Sequence, residues 1–424
     1  MLRVFDFTRI PIVEVVNEIL VDASKRGASD IHMDPWEDVM KIRIRIDGGL
    51  VDYAEIPNAF KRNMITRIKI ISGMNITESR LPQDGSIKAV LHDVPLDLRV
   101  SCLPTSNGEK IVIRILDYSM SLAGLETLGF SESNYKKVLQ MISIPNGIIL
   151  VTGATGTGKS TTVYSILQRL NTEDTNIITV EDPIEMEIDG VNQVQVNSDI
   201  GLTFANTLRS ILRQDPNIIM IGEIRDNETA KIAVRASITG HIVLSTIHTN
   251  NSLNTIERML DMDVERYLLA SSLEGIISQK LARRLCPHCR KKRPTNTYEK
   301  ELFKKVLKQD VKEIWTSVGC EKCGNGYKGR IALHEVLIIN QAIRDAISDQ
   351  MPKDKLRELV YKADVETLLQ DGLKKVIDGY TTFEEVLKII ELDDDEVVGA
   401  IELKNAIDAA RVALGEKEDE EKKK

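Results

Sequence analysis

The stretch Gly153-Ala154-Thr155-Gly156-Thr157-Gly158-Lys159-Ser160 has the residue types and spacing of a loop that surrounds phosphate oxygens. Its glycines let successive backbone N–H groups turn inward, and a helix opening at its end adds a favourable field. Lys159 is placed to neutralise the β- and γ-phosphates of a nucleotide, and Ser160 to ligate magnesium. Thr155, Thr157 and Thr161 complete the set expected to line the nucleotide. The bland alternative is a glycine-rich turn with an incidental Lys-Ser. The full spacing, after an apolar run and before a helical pattern, argues against it.

Hydrolysis of a nucleotide also needs a group that polarises water. Residues 217–223, Asn-Ile-Ile-Met-Ile-Gly-Glu, read as an apolar strand ending in Gly-Glu. The usual acid at such a strand end is Asp, and Gly222 stands in its place. Glu223 is then the carboxylate for the magnesium shell, the attacking water, or both. A second acidic cluster, Glu181-Asp182-Pro183-Ile184-Glu185, follows the apolar run 177–180. At the carboxyl ends of parallel strands it would converge on the same crevice, the alternative being a solvated loop. His241 and His248 flank the run 242–246, a placement equally open to packing, loop hydrogen bonding and function.

Metal is indicated elsewhere. Cys286-Pro-His-Cys289 and Cys320-Glu-Lys-Cys323 are two close pairs with thirty residues between them. Each short loop can present two thiolates to one ion, and four thiolates make a closed, structural zinc site. The alternatives are coincidence or a redox pair, and no thioredoxin-like context surrounds them. His288 is superfluous as a ligand. Cys102 reads as a plain core residue.

The elements that must position these groups are legible in outline. Residues 11–26 show helical periodicity, with Pro11 suited to the first turn and Gly27 to the stop. Residues 41–46 alternate strictly, and Asp47-Gly48 reads as a hairpin turn. Strands are expected at 96–101 and 110–116 with no helix between them, giving an α+β half with a largely antiparallel sheet that ends near Asp117. The mixed stretch from Tyr118 reads as a linker. Beyond it, apolar runs at 148–152, 177–180, 218–221 and 242–246 alternate with helical segments such as 162–170 and 203–213, the pattern of a parallel sheet covered on both faces. Residues 354–392 look helical, and Thr382 with Glu385 forms a capping box.

Composition excludes several classes. The 424 residues are long enough for two or three domains. Lys and Arg number 56 against 64 Asp and Glu, a net charge of −8. From Glu391 onward twelve acids face six bases, so −6 of that charge sits in the last thirty-four residues. The remaining body is nearly neutral, and aromatics are 4% of the chain. Both features argue against a nucleic-acid translocase or helicase, a class that a phosphate-binding loop with a metal module would otherwise fit. A non-hydrolysing scaffold is disfavoured because Lys159, Ser160, Glu181, Glu185 and Glu223 are all in place. No apolar run approaches the roughly 20 residues of a membrane-spanning helix. The N-terminus lacks a signal-peptide core, and five cysteines are too few for a disulfide framework, so a cytoplasmic protein is expected.

Taken together, these motifs resemble the secretion ATPases of type II secretion and type IV pilus assembly, over residues 8 to about 390. Ala28-Ser-Asp-Ile-His32 and Ile44-Arg-Ile-Asp47-Gly48 look like the family's N-terminal domain. Thr179–Glu185 resembles its acidic box. Ile221–Asp226 resembles its atypical second nucleotide motif, which accounts for Gly222. Thr239-Gly-His241 through Thr246-Ile-His248-Thr249 resembles its histidine box. Tyr327–Arg330 and Asp371-Gly-Leu also look familial.

The resemblance implies an α/β chain with a PAS-like α+β N-terminal domain (1–117), a linker (118–132) and a RecA-like P-loop motor (133–393) that includes a zinc module at about 284–330. An acidic tail, 394–424, would follow, with an amphipathic stripe through Ala400, Leu403, Ile407, Ala410 and Leu414. That stripe packs on its own domain or docks a partner. The implied assembly is a homohexamer on the cytoplasmic face of the inner membrane. It would bind ATP, Mg²⁺ and Zn²⁺, and drive pilin or pseudopilin polymerisation through a membrane platform protein. Because the N-terminal domain starts almost at residue 1, the extra docking domain of many members is expected to be missing. The zinc pairs favour the assembly and secretion branch over retraction. By resemblance the catalytic set is Lys159, Glu185, Glu223 and His248, with Glu181 and His241 near the nucleotide. Alternation in 96–101 and 110–115 puts Arg99 and Arg114 on one exposed sheet face, the usual place for solvated arginines. The resemblance instead implies that they approach ATP held by a motor domain.

Overall fold

The computed structural model describes residues 2–46, 48–116, 124–362 and 364–390. The chain divides into two units, Met1–Met120 and Ser121–Lys424. The stripe expected in 394–424, Asp47 of the expected hairpin turn and residues 118–123 of the expected linker lie outside the described residues. Residues 124–132 of that linker belong to the second unit, where Leu125 is buried and Ser131 Oγ donates to Glu366 Oε2 at 2.7 Å.

The first unit begins with the helix Ile12–Lys25, followed by strands β1 (Ala28–Pro35), β2 (Val39–Ile46) and β3 (Gly49–Pro57). The helix Asn58–Ile71 precedes β4 (Gln83–Leu91), β5 (Val94–Thr105) and β6 (Gly108–Leu116). The strands pair antiparallel in the order β3-β2-β1-β6-β5-β4. Alternate residues, among them Ile31, Met33, Ile42, Ile44, Leu98, Val100, Ile111 and Ile113, form a core with Val16, Ile19, Leu20, Met64 and Ile68 of the two helices. The other face is charged. Arg99 stands directly opposite Arg114 in the β5–β6 register, and Arg114 Nε lies 3.3 Å from Asp30 Oδ1.

In the second unit the helix Glu132–Ile142 leads into β7 (Gly147–Thr152), the helix Lys159–Leu170, β8 (Ile177–Glu181) and β9 (Val191–Gln195). Next come the helix Phe204–Ile211, β10 (Ile218–Ile221), the helix Asn227–Ile238 and β11 (Ile242–Ile247). Helices Ser252–Asp261 and Arg266–Ser272 lead to β12 (Leu273–Leu285). Then β13 (Lys291–Pro294) and β14 (Glu313–Thr316) pair as a small separate sheet, and β15 (Tyr327–Ile338) returns to the main one. The main sheet runs β15-β12-β7-β11-β10-β8-β9, parallel except for the β12–β15 pair. Every residue of β7, β8, β10 and β11 is buried, which is why these strands read as continuous apolar runs rather than alternating ones.

The helical stretch expected at 354–392 is three helices, Lys353–Lys362, Leu368–Ile377 and Phe383–Ile389. Only half of the expected capping box forms. Thr382 Oγ1 accepts the Glu385 N–H at 3.3 Å, but the Glu385 carboxylate accepts the Arg283 N–H and pairs with the Arg283 guanidinium instead. The charged pair outcompetes the neutral reciprocal bond.

A buried charge pair fastens these helices to the sheet. Asp371, 1% exposed, accepts from Lys375 Nζ at 2.6 Å and from the His334 N–H at 2.7 Å, and Lys375 Nζ also reaches Ala332 O at 2.6 Å. Removing one member strands the other charge in a dry site. Asp371→Ala should therefore destabilise the second unit by about 3–5 kcal/mol, while the apolar pair Asp371→Leu with Lys375→Met recovers part of the loss. Urea unfolding of the three proteins measures this. An Asp371→Ala variant as stable as the parent would show that the pair holds nothing.

Candidate nucleotide site

The loop 153–158 leaves the carboxyl end of β7 and turns into the helix Lys159–Leu170. Gly158, at φ +88°, occupies the N-cap, so no side chain caps the first turn and its N–H groups face the loop. Gly153 has φ +152°, and a Cβ there would lie 2.5 Å from both Gln279 O and Thr157 Oγ1. The backbone is thus folded onto itself more tightly than any side chain permits. Lys159, 8% exposed, directs its ammonium at Gly153 O (2.9 Å) and Ala154 O (3.0 Å). Burial pushes its pKa down and the Glu223 carboxylate pulls the other way. Ser160 is exposed in the first helical turn, Thr161 is half-buried behind it, and Thr155 is exposed on the loop. Thr157 Oγ1 donates to Ala154 O at 2.9 Å, so that hydroxyl shapes the loop.

Glu223 follows β10, at the same sheet edge. Its Oε1 lies 3.0 Å from His248 Nε2, and its Oε2 accepts from Arg225 Nε at 2.8 Å. That hydrogen bond raises the Arg225 pKa. Gly222 has a steric reason. A Cβ there would meet the Glu181 Cα at 3.3 Å and Val180 O at 3.4 Å, and its N–H donates to Val180 O at 2.8 Å. An aspartate there would push β8 back by a few tenths of an ångström beyond Ile221. His248 arrives from β11, where the Thr152 and Thr249 hydroxyls and backbone staple the ends of β7 and β11 together.

Two expected members do not join this group within the chain. His241 precedes β11, so it sits at the other end of that strand. There its Nδ1 is 2.9 Å from Ala236 O, at the close of the helix Asn227–Ile238, and its carbonyl accepts the Gly147 N–H. Six parallel residues separate it from His248, and side-chain reach does not span that distance. Glu181, 3% exposed, is spent on structure. Its carboxylate accepts from Tyr164 OH, from Thr179 Oγ1 at 2.5 Å and from Gln193 Nε2 at 3.0 Å. Glu185 is half-buried in the loop that follows, and its N–H donates to Tyr164 OH at 3.1 Å.

Sequence reasoning missed Gln279. It is 2% exposed on β12, one residue past the register pair Ser278–Thr152. Its Nε2 donates to Thr157 O at 2.7 Å and its Oε1 accepts from Thr162 Oγ1 at 2.8 Å, so it ties the loop to the helix. A glutamine inside a long mixed run carries no motif, and only the register reveals it. The missed Tyr164 reads from sequence as an ordinary core residue of a helix.

A sequence profile of the family described as "Type II/IV secretion system protein" matches residues 8–388. The chain belongs to that family. It is 44% identical over 384 residues to "Type II secretion system protein E" of Aeromonas hydrophila, covering 90% of this chain and 76% of that one. It is 44% identical over 374 residues to "Type IV pilus assembly ATPase PilB" of Thermus thermophilus, covering 88% of this chain and 42% of that one. Among solved structures it resembles the pilus retraction motor PilT with bound ADP, at 28% identity and TM-score 0.64, over 90% of this chain and 98% of the other. The Legionella pneumophila ATPase DotB shares the fold at 23% identity and TM-score 0.68, over 92% and 98% of the two chains. The fold is accordingly the expected one, an α/β chain with a RecA-like P-loop motor and a PAS-like α+β N-terminal unit.

The four cysteines of the two pairs come together. Their sulfur atoms all lie within 4.8 Å of one another, with Cys289–Cys323 at 3.5 Å and Cys320–Cys323 at 3.6 Å. These separations exclude a disulfide, and they match the edge of about 3.8 Å expected for a tetrahedron of sulfurs 2.3 Å from zinc. Cys102 is apart from them, and burial with the neighbouring Glu109 pushes its thiol up to about 12. The donor set fits a closed zinc site. Protein purified without chelator should carry one zinc per chain by elemental analysis. Cys289→Ser or Cys320→Ser should lose the metal and lower Tm, because metal-binding free energy in such modules is folding free energy. Zinc-free native protein of unchanged Tm would refute the assignment.

Proposed function

We propose that this chain is a homohexameric motor that hydrolyses ATP, with Mg²⁺, to power assembly of a pilus or pseudopilus through an inner-membrane platform protein. The coarser statement is plain: the chain is an ATP hydrolase of the type II/IV secretion family. The observation that carries the finer reading is the convergence of the phosphate-binding loop with the His248–Glu223–Arg225 group at one sheet edge. Relatives named for secretion and pilus assembly reach 45% identity, against 28% for the retraction motor, and this supports the extension or secretion branch. The cysteine module favours that branch too. Among the described residues no helix is long and apolar enough to cross a membrane.

Each residue has a stated task. Loop N–H groups and Lys159 would hold the β- and γ-phosphates, and Ser160 would hold Mg²⁺, which would supply charge neutralisation. Glu223, oriented by His248 and Arg225, takes a proton from water as it attacks the terminal phosphorus and the bond to the departing ADP oxygen breaks. Glu185 supplies a second carboxylate to the same edge. Arg99 and Arg114 of an N-terminal unit approach the phosphates, where planar guanidinium groups bridge two oxygens at once. Closure of that unit would then couple phosphate state to motion and give the ring its stroke.

Lys159→Ala and Glu223→Gln should each lower turnover about 10²–10³-fold or more without unfolding the chain. Glu223→Gln should still bind ATP. Near-parental turnover in both would remove the site assignment. Addition of single- or double-stranded DNA should leave the parental rate unchanged.

Arg114→Ala should cost hydrolysis far more than stability. Mixing it with Lys159→Ala subunits should restore part of the rate if the arginine works across a subunit boundary. Parental turnover in both Arg99→Ala and Arg114→Ala would discard the closure step and leave the motor assignment standing.

A further inference from the structure

The phosphate-binding helix carries a group that reaches the acidic loop. Tyr164 is 1% exposed and lies five residues after Lys159 on the helix Lys159–Leu170. Its hydroxyl donates to Glu181 Oε2 and accepts the Glu185 N–H at 3.1 Å. A phenol is both donor and acceptor, and here both capacities go to one loop. Burial and the Glu181 carboxylate hold the phenol's pKa well above its ordinary value, so it keeps the proton it donates.

The loop after β8 is held from its other side as well, where the Ile184 N–H donates to Gln195 Oε1 at 3.3 Å. Residues 182–188 form no helix or strand. On the far side Gln193 holds them, donating to Glu181 Oε1 (3.0 Å) and Met186 O (2.9 Å) and accepting the Ile188 N–H (2.8 Å). Glu181 is therefore a node. It is gripped by Tyr164 from the nucleotide-binding helix and by Gln193 from β9, and Glu185 hangs four residues further along the framed segment.

We infer that Tyr164 is a positioning residue that sets Glu185 against the phosphate-binding loop, so that the two move as one rigid piece. The inference rests on the proposed role of Glu185 as a catalytic carboxylate. Tyr164 touches no reacting atom and acts only through the loop.

Tyr164→Phe tests this with the ring and its packing kept. Glu181 retains two donors, while the hydrogen bond from the Glu185 N–H to the phenol oxygen is lost. In the full-length chain kcat should fall roughly ten- to a hundredfold, the scale of a misplaced catalytic group. KM for ATP and the Kd for MgADP should stay near parental values, and Tm should fall only by the few degrees that the lost buried hydrogen bonds account for. A merely structural role would move these quantities instead. In a Glu185→Gln background, Tyr164→Phe should add no further loss, since both changes remove the same contribution. Three results overturn the inference. The first is parental kcat in Tyr164→Phe beside an inactive Glu185→Gln, which leaves the role of Glu185 intact. The second is a loss confined to Kd or Tm. The third is full additivity in the double variant. Parental turnover in Glu185→Gln removes the reading beneath it as well.

Discussion

Lys159 keeps an ammonium group almost out of water, and burial alone would drive the proton off it. Two loop carbonyls, at 2.9 and 3.0 Å, and the field of Glu223 oppose that tendency. The carbonyls can converge only because Gly153 and Gly158 adopt backbone conformations that a side chain would block. Phosphate oxygens pose the same desolvation problem with the opposite sign, and the same fold answers it with inward N–H groups and that cation. The second unit is organised around keeping these opposed charges close and dry.

Strand order supplies the means. β7 lies inside the sheet between β12 and β11, so each neighbour delivers one necessity to the loop at its end. β11 brings His248 and the Thr249 staple. β12 brings Gln279 under the loop, and beyond β11 the strand β10 ends in Gly222-Glu223. Parallel strands make this possible because all their carboxyl ends open on one crevice. The antiparallel β15 lies beyond β12, where its bond from the His334 N–H to Asp371 ties down the C-terminal helices rather than serving the nucleotide.

What the sequence makes legible follows from the range of the forces involved. The helix Ile12–Lys25, the alternating β2 and the four buried parallel strands are local periodicities, and they lie where the patterns predict. Lys159, Glu223 and the two cysteine pairs are fixed by short spacings, so they too stand out. The missed parts depend on long-range register. Gln279 is 122 positions from the carbonyl it supports. His241 and His248 look equivalent as flanks of one strand, yet a parallel strand puts its two ends on opposite edges of the sheet. Glu181 reads as part of an acidic cluster at the nucleotide crevice, whereas in the fold three donors close on its carboxylate. The capping box at Thr382 fails because Arg283, a hundred residues away in sequence, offers Glu385 a charged partner.

The position of the cysteine module has a physical meaning of its own. A closed tetrathiolate site has no open coordination position, so its contribution is mechanical. β12 runs from Gln279, which braces the phosphate-binding loop, to Leu285, with a break in its register against β15 between Arg283 and Leu285, and Cys286 follows at once. Over those residues a strand extends about 20 Å at 3.3 Å per residue. Pairing with β15 along most of that length makes it a stiff member, because each ladder bond resists bending. The module therefore anchors the far end of the same strand whose near end sets the loop. A strand that frayed at Leu285 would loosen toward Gln279, and Gln279 is the only side chain among the described hydrogen bonds that ties the Thr157 carbonyl to Thr162. Zinc held by the four thiols would stiffen that end of the strand without adding anything to the chemistry at the nucleotide site.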